Sequence, residues 1–218
     1  MVEKKQKYVF LQTLLVSALI FSFGMLIGVL VEDIRTIKVD DLYLESQIEL
    51  TDLRLESEIL SNLNFNCEAA IKENINFADR IYEEARSLEK YDESSKVSDK
   101  LKVAHKRYDI LRTTLWYNSI KIKEKCPEKF HTVVYFYDYI DTEIPQKSKQ
   151  NVISKVLSEL KQKQGADIIL IPIATDLDIY SLNLIMNSYN ITEFPTILID
   201  EKYKITEIST VQELEKYL

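Results

Sequence analysis

The segment from Tyr8 to Val31 carries no charged residue, and Gln12 is its only strongly polar side chain. As a helix, its 24 residues would extend roughly 36 Å, which exceeds the ~30 Å hydrocarbon layer of a bilayer. A buried core helix is the competing interpretation, but an apolar run of this length leaves no polar face for water. The segment therefore predicts a helix that spans a membrane.

Two interpretations of that helix differ in whether it is removed from the protein. Ser22-Phe23-Gly24 supplies small residues at a conceivable signal-peptide cleavage site. The apolar run nevertheless continues from Met25 through Val31, beyond the point where the apolar part of a signal peptide ends. We therefore interpret the segment as an uncleaved signal anchor.

The charges on either side of the span predict its orientation. Lys4, Lys5 and Lys7 precede it, whereas Glu32 and Asp33 follow it. Because positive residues stay on the cytoplasmic side, the N-terminus is expected inside and the rest of the chain outside the cell membrane.

Two glycines inside the span could bring two helices together. Gly24 and Gly28 form a G-x-x-x-G pair, which lets helix backbones approach closely in a membrane. The same pattern also arises by chance in apolar segments, so a homodimer through this contact is one alternative.

The middle of the chain predicts long helices. A broad apolar stripe between residues 38 and 65 indicates a helical stalk that packs on more than one neighbour. Two later segments place apolar residues at alternating spacings of four and three, which is typical of packed helices. The first contains Ile71, Ile75, Ala78, Tyr82 and Ala85, and the second contains Val97, Leu101, Ala104, Tyr108, Leu111, Leu115, Asn118 and Ile122.

These two segments are expected to form an antiparallel hairpin. The polar stretch Asp92-Glu93-Ser94-Ser95, with Ser98 as an N-cap, supplies a short turn between them. A coiled-coil oligomer is the competing use of the same seam, and the short turn favours the hairpin. Trp116 and Tyr117 lie beside the seam and are predicted to cover a third element.

The two cysteines extend the apolar faces of the hairpin helices. Cys67 lies four residues before Ile71, and Cys126 lies four residues after Ile122, so both fall at the open end of the hairpin. Outside the cell membrane such a pair is expected to oxidise. The disulfide would close a loop of about sixty residues and contribute on the order of 3–4 kcal/mol in the chain-entropy model. Two buried free thiols are the alternative.

Charge and spacing argue against two function classes. The net charge of −7 without a basic stripe argues against nucleic-acid binding. A zinc site built from both cysteines with His105 and His131 is rejected, because His105 precedes Cys126 by 21 residues, roughly 30 Å along one helix. We therefore expect neither a metal site nor a cofactor.

The last ninety residues alternate strands and helices. Apolar runs predict strands at 132–137, 167–173, 196–199 and 203–208, and helices at 144–163, 177–189 and 211–218. The inner side of the first of these helices is expected to be formed by Ile144, Val152, Ile153, Val156, Leu157 and Leu160. The order βαβαββα contains both a parallel crossover and a terminal hairpin, which is typical of an α/β layer fold.

Within that order, Phe194-Pro195-Thr196 directly before an apolar strand resembles the cis-proline strand of the thioredoxin-like superfamily. The resemblance covers about residues 130 to 218, or 40% of the chain. It implies a cis bond at Phe194–Pro195. It also implies a peptide-binding groove, for which the matching positions are Tyr139, Asp141, Phe194, Pro195 and Thr196.

The resemblance fails at the family's redox chemistry. Asp141 and Ile144 stand near the two positions where the family carries its cysteine pair, and Tyr135 replaces its buried acid. A thioredoxin-type dithiol exchange is therefore not expected in this domain, and binding is the part of the family's function that the resemblance still implies.

The predicted organisation is a cytoplasmic tail at 1–7, a transmembrane anchor at 8–31, a helical stalk and hairpin at 32–127 and a thioredoxin-like domain at 128–218. The expected function is noncatalytic binding or scaffolding of an extracytoplasmic protein or peptide. The alternatives are a divergent thiol-disulfide oxidoreductase that uses Cys67 and Cys126, and a structural helical oligomer built on Gly24, Gly28 and the heptads.

Overall fold

The structure, a computed structural model, describes residues 2–92, 99–127, 130–140 and 143–218. The chain divides into two compact units, Met1–Asp41 and Leu42–Leu218. The four-part organisation expected from the sequence stays a prediction.

The first long helix, α1, runs from Val2 to Asn62 and so belongs to both units. Its segment Tyr8–Ile34 is long and apolar enough to cross a membrane, and in the part of the chain that the structure describes no other helix is. This confirms the N-terminal apolar helix that the sequence predicts. No side chain of that segment's most apolar window is buried within the protein.

The second unit contains the helical hairpin. Helix α2 runs from Cys67 to Asp92 and helix α3 from Asp99 to Lys125. Their antiparallel pairing follows from contacts at three levels: the bond between Cys67 and Cys126, a 2.8 Å hydrogen bond from Asn74 to Ser119, and a 3.2 Å hydrogen bond from Tyr108 to Glu84. The turn predicted at residues 93–98 lies outside the described residues.

Helix α3 is buried on two sides, because two series of side chains run along it. The predicted apolar series includes Leu101, Ala104, Tyr108, Leu111, Leu115 and Ile122, all of them buried. A second series, His105, Asp109, Arg112, Trp116 and Ser119, is also buried and has the same alternating spacing. Helix α3 is therefore the central helix of the second unit.

The end of α1 packs on α3 through one of its faces. The Asn118 side-chain amide donates to the Leu53 carbonyl, at 3.3 Å, and the Lys121 ammonium donates to the Ser57 carbonyl, at 3.1 Å. Leu53 and Leu60 are buried there, whereas Ile48 and Leu55 are exposed. Only part of the broad apolar stripe of the predicted stalk is thus buried within the second unit.

The rest of the second unit is a four-stranded mixed sheet with its helices. In chain order the elements are β1 His131–Tyr137, α4 Ile144–Gln164, a 3₁₀ turn Gly165–Asp167, β2 Ile168–Ala174, α5 Tyr180–Ser188, β3 Thr196–Ile199, β4 Tyr203–Ile205, α6 Val211–Leu214 and a 3₁₀ turn Glu215–Tyr217. The strand order is β2-β1-β3-β4, with β1 and β2 parallel and the other two pairs antiparallel. The predicted order βαβαββα is confirmed, and the thioredoxin-like identity stays a prediction.

Some details of the predicted elements were wrong. Ile144 is 83% exposed and Val152 is 43% exposed, although both were expected on the inner side of α4. The buried face of α4 is formed by Gln150, Ile153, Leu157 and Leu160 at helical spacing, and Val152 lies about 100° away from it. Strand β4 is also shorter than predicted and ends at Ile205.

The sheet is covered on both faces. Val133 and Tyr135 of β1 belong to a core shared with α4 and α6, through residues such as Leu157 and Leu214. Side chains alternate along a strand, so Phe136 lies on the opposite face, where its ring meets the Trp116 ring of α3 at 5.6 Å. Helix α3 thereby connects the hairpin to the sheet.

Candidate ligand-binding cleft

The cysteines are joined as the sequence predicts. Cys67 and Cys126 form a disulfide, with their Cα atoms 5.6 Å apart, and no cysteine of the chain is free. Cys126 is only 7% exposed. The bond closes the end of the hairpin where α2 begins and α3 ends.

Near this disulfide, the turn between β3 and β4 is tied to α3 by a charged network. The Lys123 ammonium donates to Asp200 at 2.7 Å and to Glu201 at 2.8 Å, and the Trp116 indole donates to Glu201 at 2.8 Å. His131 Nδ1 lies 2.6 Å from the second oxygen of Asp200. Burial alone would raise the pKa of Asp200, but hydrogen bonds from Lys123, His131 and the Thr132 backbone hold it below its ordinary value.

The same network explains an unusual turn. Asp200 and Glu201 have φ values of 48° and 58°, in the left-handed region that non-glycine residues rarely adopt. Asp200 and Glu201 are the central residues of a tight turn that the Lys202 N–H closes by donating to the Ile199 carbonyl at 3.0 Å, and a turn with such angles usually recruits asparagine or glycine. Here the two carboxylates are held by α3, so the turn residues serve the packing between the sheet and the hairpin.

The predicted peptide-groove residues are placed in different surroundings. The Phe194–Pro195 bond is cis, as predicted, while Pro195 and Thr196 are buried and Phe194 is half-buried. The Tyr139 ring lies 4.3 Å from the ring of His105. Asp141 lies outside the described residues, and the groove as a whole stays a prediction.

The predicted membrane-helix contact also stays a prediction. Gly24 and Gly28 lie on α1, and a Cβ atom added at either position would meet no atom within 4 Å. Both positions therefore leave open space on the helix surface.

A cleft that the sequence analysis did not foresee opens at the carboxyl end of β1. Its volume is about 580 Å³. One wall comes from the hairpin, through Tyr82, Arg86, His105 and Arg112. The other comes from α4, and the floor comes from β1, the residues that follow it and β2. These contribute Tyr135, Tyr137, Asp138, Tyr139, Ile140, Lys147, Gln150, Asn151, Ser154, Lys155, Ser158 and Pro172.

Aromatic rings form much of the cleft surface. The rings of Tyr135 and Tyr137 stack at 5.5 Å, and the Tyr139 ring contacts the His105 ring in a tilted arrangement. Burial raises the pKa of Tyr135, with a smaller contribution from the nearby Asp138 charge, so its hydroxyl stays protonated and donates to the Gln150 carbonyl at 3.2 Å. The aromatic surface is thus held in place from α3 and from α4.

The loop after β1 is held by a carboxylate from the end of β2. Asp176 accepts hydrogen bonds from the backbone N–H groups of Tyr139, at 2.9 Å, and Ile140, at 2.6 Å. Asp176 therefore fixes the backbone beside the cleft.

The cleft lining is net positive, whereas the whole chain is net negative. Four cationic side chains line it, from Arg86, Arg112, Lys147 and Lys155, although the chain has a net charge of −7. Asp138 is the only acid among the described lining residues, and it already accepts from Thr175 at 2.8 Å and from Gln146 at 2.5 Å. The lining therefore has an excess of positive charge.

A buried ion pair lies behind the cleft wall. The Arg112 guanidinium donates to Asp109 at 3.0 Å, and their side chains are 5% and 1% exposed. Burial raises the pKa of Asp109 to about 6, against smaller opposing contributions from Arg112, His105 and the Ala174 backbone N–H. Asp109 thus keeps Arg112 in place about two helical turns from His105.

The second series of α3 was the missed signal for this site. His105, Asp109, Arg112 and Trp116 follow one another at spacings of four, three and four. Ionisable residues at core spacing are rarely found buried without a partner, so this pattern could have indicated a polar contact with the sheet. The partners themselves come from segments far apart in the sequence.

The cleft offers charge, hydrogen bonds and aromatic surface. In the portion of the chain that the structure describes, no group of three or more His, Cys, Asp or Glu side chains is arranged to hold a metal ion. The disulfide is remote, because Arg112 and Cys126 are separated by 14 residues, roughly 20 Å along α3. No protein-family model matches the chain, and no curated protein matches it either.

Proposed function

We propose that this chain is a membrane-anchored, noncatalytic binding protein whose cleft captures a segment of another extracytoplasmic protein. Residues 8–31 serve as the anchor, the N-terminus is cytoplasmic, and the unit Leu42–Leu218 lies outside the cell membrane. The observation that carries the proposal is the cleft itself, an open concavity of about 580 Å³ lined by fixed aromatic rings and excess positive charge. Such sites are preferred places for ligands.

The position of the cleft agrees with a redox-inactive thioredoxin-like domain. The cleft follows β1 and borders α4, the place where the resembled family carries its cysteine pair. The strand order β2-β1-β3-β4 and the cis bond at Phe194–Pro195 support that resemblance. This chain has no thiol there, so binding is the part of the family's activity that remains.

The disulfide supports both the location and the noncatalytic role. A bond between Cys67 and Cys126 persists in an oxidising compartment, as expected outside the membrane. The low exposure of Cys126 favours a structural bond over exchange with a client thiol. A thiol-disulfide oxidoreductase is therefore the less supported function.

Site-specific photo-cross-linking in native membranes tests the proposal. A photo-reactive side chain in place of Tyr139 is expected to give a discrete adduct with a second protein. The same group in place of Leu184, which is 72% exposed on α5, serves as the control and is expected to give none.

A steric block makes the test specific to the cleft. Ser154 lines the cleft from α4, whereas Lys149 lies on α4 outside the lining. Ser154→Trp is expected to remove the Tyr139 adduct, and Lys149→Trp is expected to preserve it. An adduct that survives Ser154→Trp, or equal adducts from positions 139 and 184, would contradict binding in the cleft.

A further inference from the structure

We infer that the cleft recognises an extended acidic peptide segment, with several carboxylates spread along it. This inference rests on the proposed function and names the chemistry of its ligand. It draws on the charge, the length and the unused donors of the cleft.

The charge of the lining selects for an anion. Arg86 and Arg112 face the cleft from the hairpin, and Lys147 and Lys155 face it from α4, so a ligand between the walls has cations on two sides. A concave surface with one sign of charge concentrates ligands of the opposite sign. The contrast with the whole chain is large, since its net charge is −7.

The length of the lining selects for an extended ligand. The α4 wall begins at Lys147 and ends at Ser158, which is roughly 16 Å along the helix. A chain in strand conformation covers that length with about five residues, at roughly 3.3 Å each. The backbones of Lys147 and Lys155 are about 12 Å apart along the same wall, so the two cations can pair with carboxylates spaced along an extended ligand.

The neutral groups of the lining suit a peptide backbone. The Gln150 side chain is 7% exposed, and its amide nitrogen has no hydrogen-bond partner among the described residues. A buried donor without a partner is costly, and an acceptor on a ligand would satisfy it. Asn151, Ser154 and Ser158 add further donors and acceptors along the same wall.

Peptide titration of the full chain tests the inference. The chain is reconstituted in nanodiscs of neutral lipid, and a labelled peptide of about six residues that alternates Glu and Ala is titrated at low salt. Its matched control carries Gln at every Glu position. The acidic peptide is expected to bind about tenfold more tightly than the Gln peptide, and added salt is expected to reduce the difference.

Paired charge variants assign the effect to the cleft. Lys147→Gln/Lys155→Gln removes two cleft cations, and Lys149→Gln/Lys163→Gln removes two cations of α4 that do not line it. The first pair is expected to weaken binding of the acidic peptide about tenfold, and the second less than about twofold. All four lysines are at least partly exposed, so thermal unfolding is expected to show both variants folded.

The outcomes separate this inference from the proposed function. Equal affinity of the Glu and Gln peptides, or equal losses in the two lysine pairs, would overturn the acidic specificity. Competition by succinate or inorganic phosphate as strong as by the peptide would overturn the extended ligand in favour of a small anion. In each case the Tyr139 adduct and its loss in Ser154→Trp would leave the binding function standing, whereas their absence would remove both.

Discussion

The two ends of α3 are built for different tasks. At its C-terminal end, Lys123 bonds two carboxylates, Trp116 is fully buried, and a disulfide closes the hairpin at Cys126. In its N-terminal half, His105 lines an open cleft with excess positive charge, together with Arg112 at the middle of the helix. Stability is thus concentrated at one end of the helix and binding capacity at the other.

The pKa shifts of the acidic residues at the two ends are opposite in direction. The pKa of Asp200 at the closed end is lowered, because hydrogen bonds from Lys123, His131 and Thr132 outweigh its burial. The pKa of Asp109 at the cleft end is raised to about 6, because burial outweighs the help of Arg112. Charge stabilises the fold at the closed end, whereas at the cleft end a charge is kept at the expense of stability.

The largest expected effect comes from Trp116→Ala at the closed end. This substitution removes a side chain that is 0% exposed and contacts both Phe136 and Tyr189, so we expect a loss of about 3–5 kcal/mol in the free energy of unfolding. Tyr117→Ala is the matched control, since Tyr117 is the next residue and is 48% exposed. Tyr117→Ala should lower the free energy of unfolding by less than about 1 kcal/mol. Equal losses in urea unfolding would contradict the central role of the second α3 series.

Removal of the disulfide should destabilise the protein without changing the cleft. Cys67→Ser/Cys126→Ser opens a loop whose ends are 59 residues apart, and we expect a loss of about 3–4 kcal/mol. Binding of the acidic peptide by the folded variant should change less than about twofold. Urea unfolding and peptide titration of one sample measure both quantities, and a large loss of affinity in the folded variant would break the separation between the two ends.

The pH dependence of stability should reveal the opposite signs of the two acids. Since the folded pKa of Asp109 is about 6 and its ordinary value is 3.8, its contribution is full below pH 4 and is lost as the pH rises to about 6. The loss is on the order of 2–3 kcal/mol. Asp109→Asn should remove this slope from urea unfolding measured across that range.

Asp200→Asn is the counterpart of that experiment. Because the folded pKa of Asp200 is lowered, its contribution is present above pH 4 and is lost as the pH falls below that value. The variant should therefore differ in slope from the native chain only below about pH 4. A slope change of the same sign and range in both variants would contradict the contrast between the two ends.

The smallest expected effect on stability comes from Arg86→Gln at the cleft. Arg86 is exposed, so its replacement should change the free energy of unfolding by less than about 0.5 kcal/mol. It should nevertheless weaken the binding of the acidic peptide about threefold, because one cleft cation is lost. A matched change at Lys204, which lies on β4 and outside the cleft lining, should leave both quantities nearly unchanged.

The sequence predicts elements with strong local patterns and misses the cleft. The apolar runs of β1 and β3, the hairpin seams and the helical phase of Cys67 and Cys126 are local or nearly periodic signals, and the structure contains each of them. The cleft joins α2, α3, β1, α4 and β2, its lining residues lie up to 90 positions apart in the sequence (Tyr82 to Pro172), and no single pattern brings them together. Only the spacing of His105, Asp109 and Arg112 indicated a polar contact on this side of α3.

The misplacement of Ile144 has a similar physical cause. Its apolar side chain stands at the start of α4, and an amphipathic pattern treats every isoleucine as inward-facing. The first turn of α4 extends beyond the core that Ile153 and Leu157 reach, so Ile144 remains 83% exposed. The position of a helix end relative to the core is a tertiary property that periodicity does not contain.

The most direct test of cleft binding is calorimetric titration of the acidic peptide into the full chain carrying Ser154→Trp or Lys149→Trp. Both substitutions add the same bulk to the same helix, but only position 154 lines the cleft. We expect Lys149→Trp to bind as the native chain does, and Ser154→Trp to bind at least about tenfold more weakly. Native affinity in Ser154→Trp would contradict a binding site in the cleft.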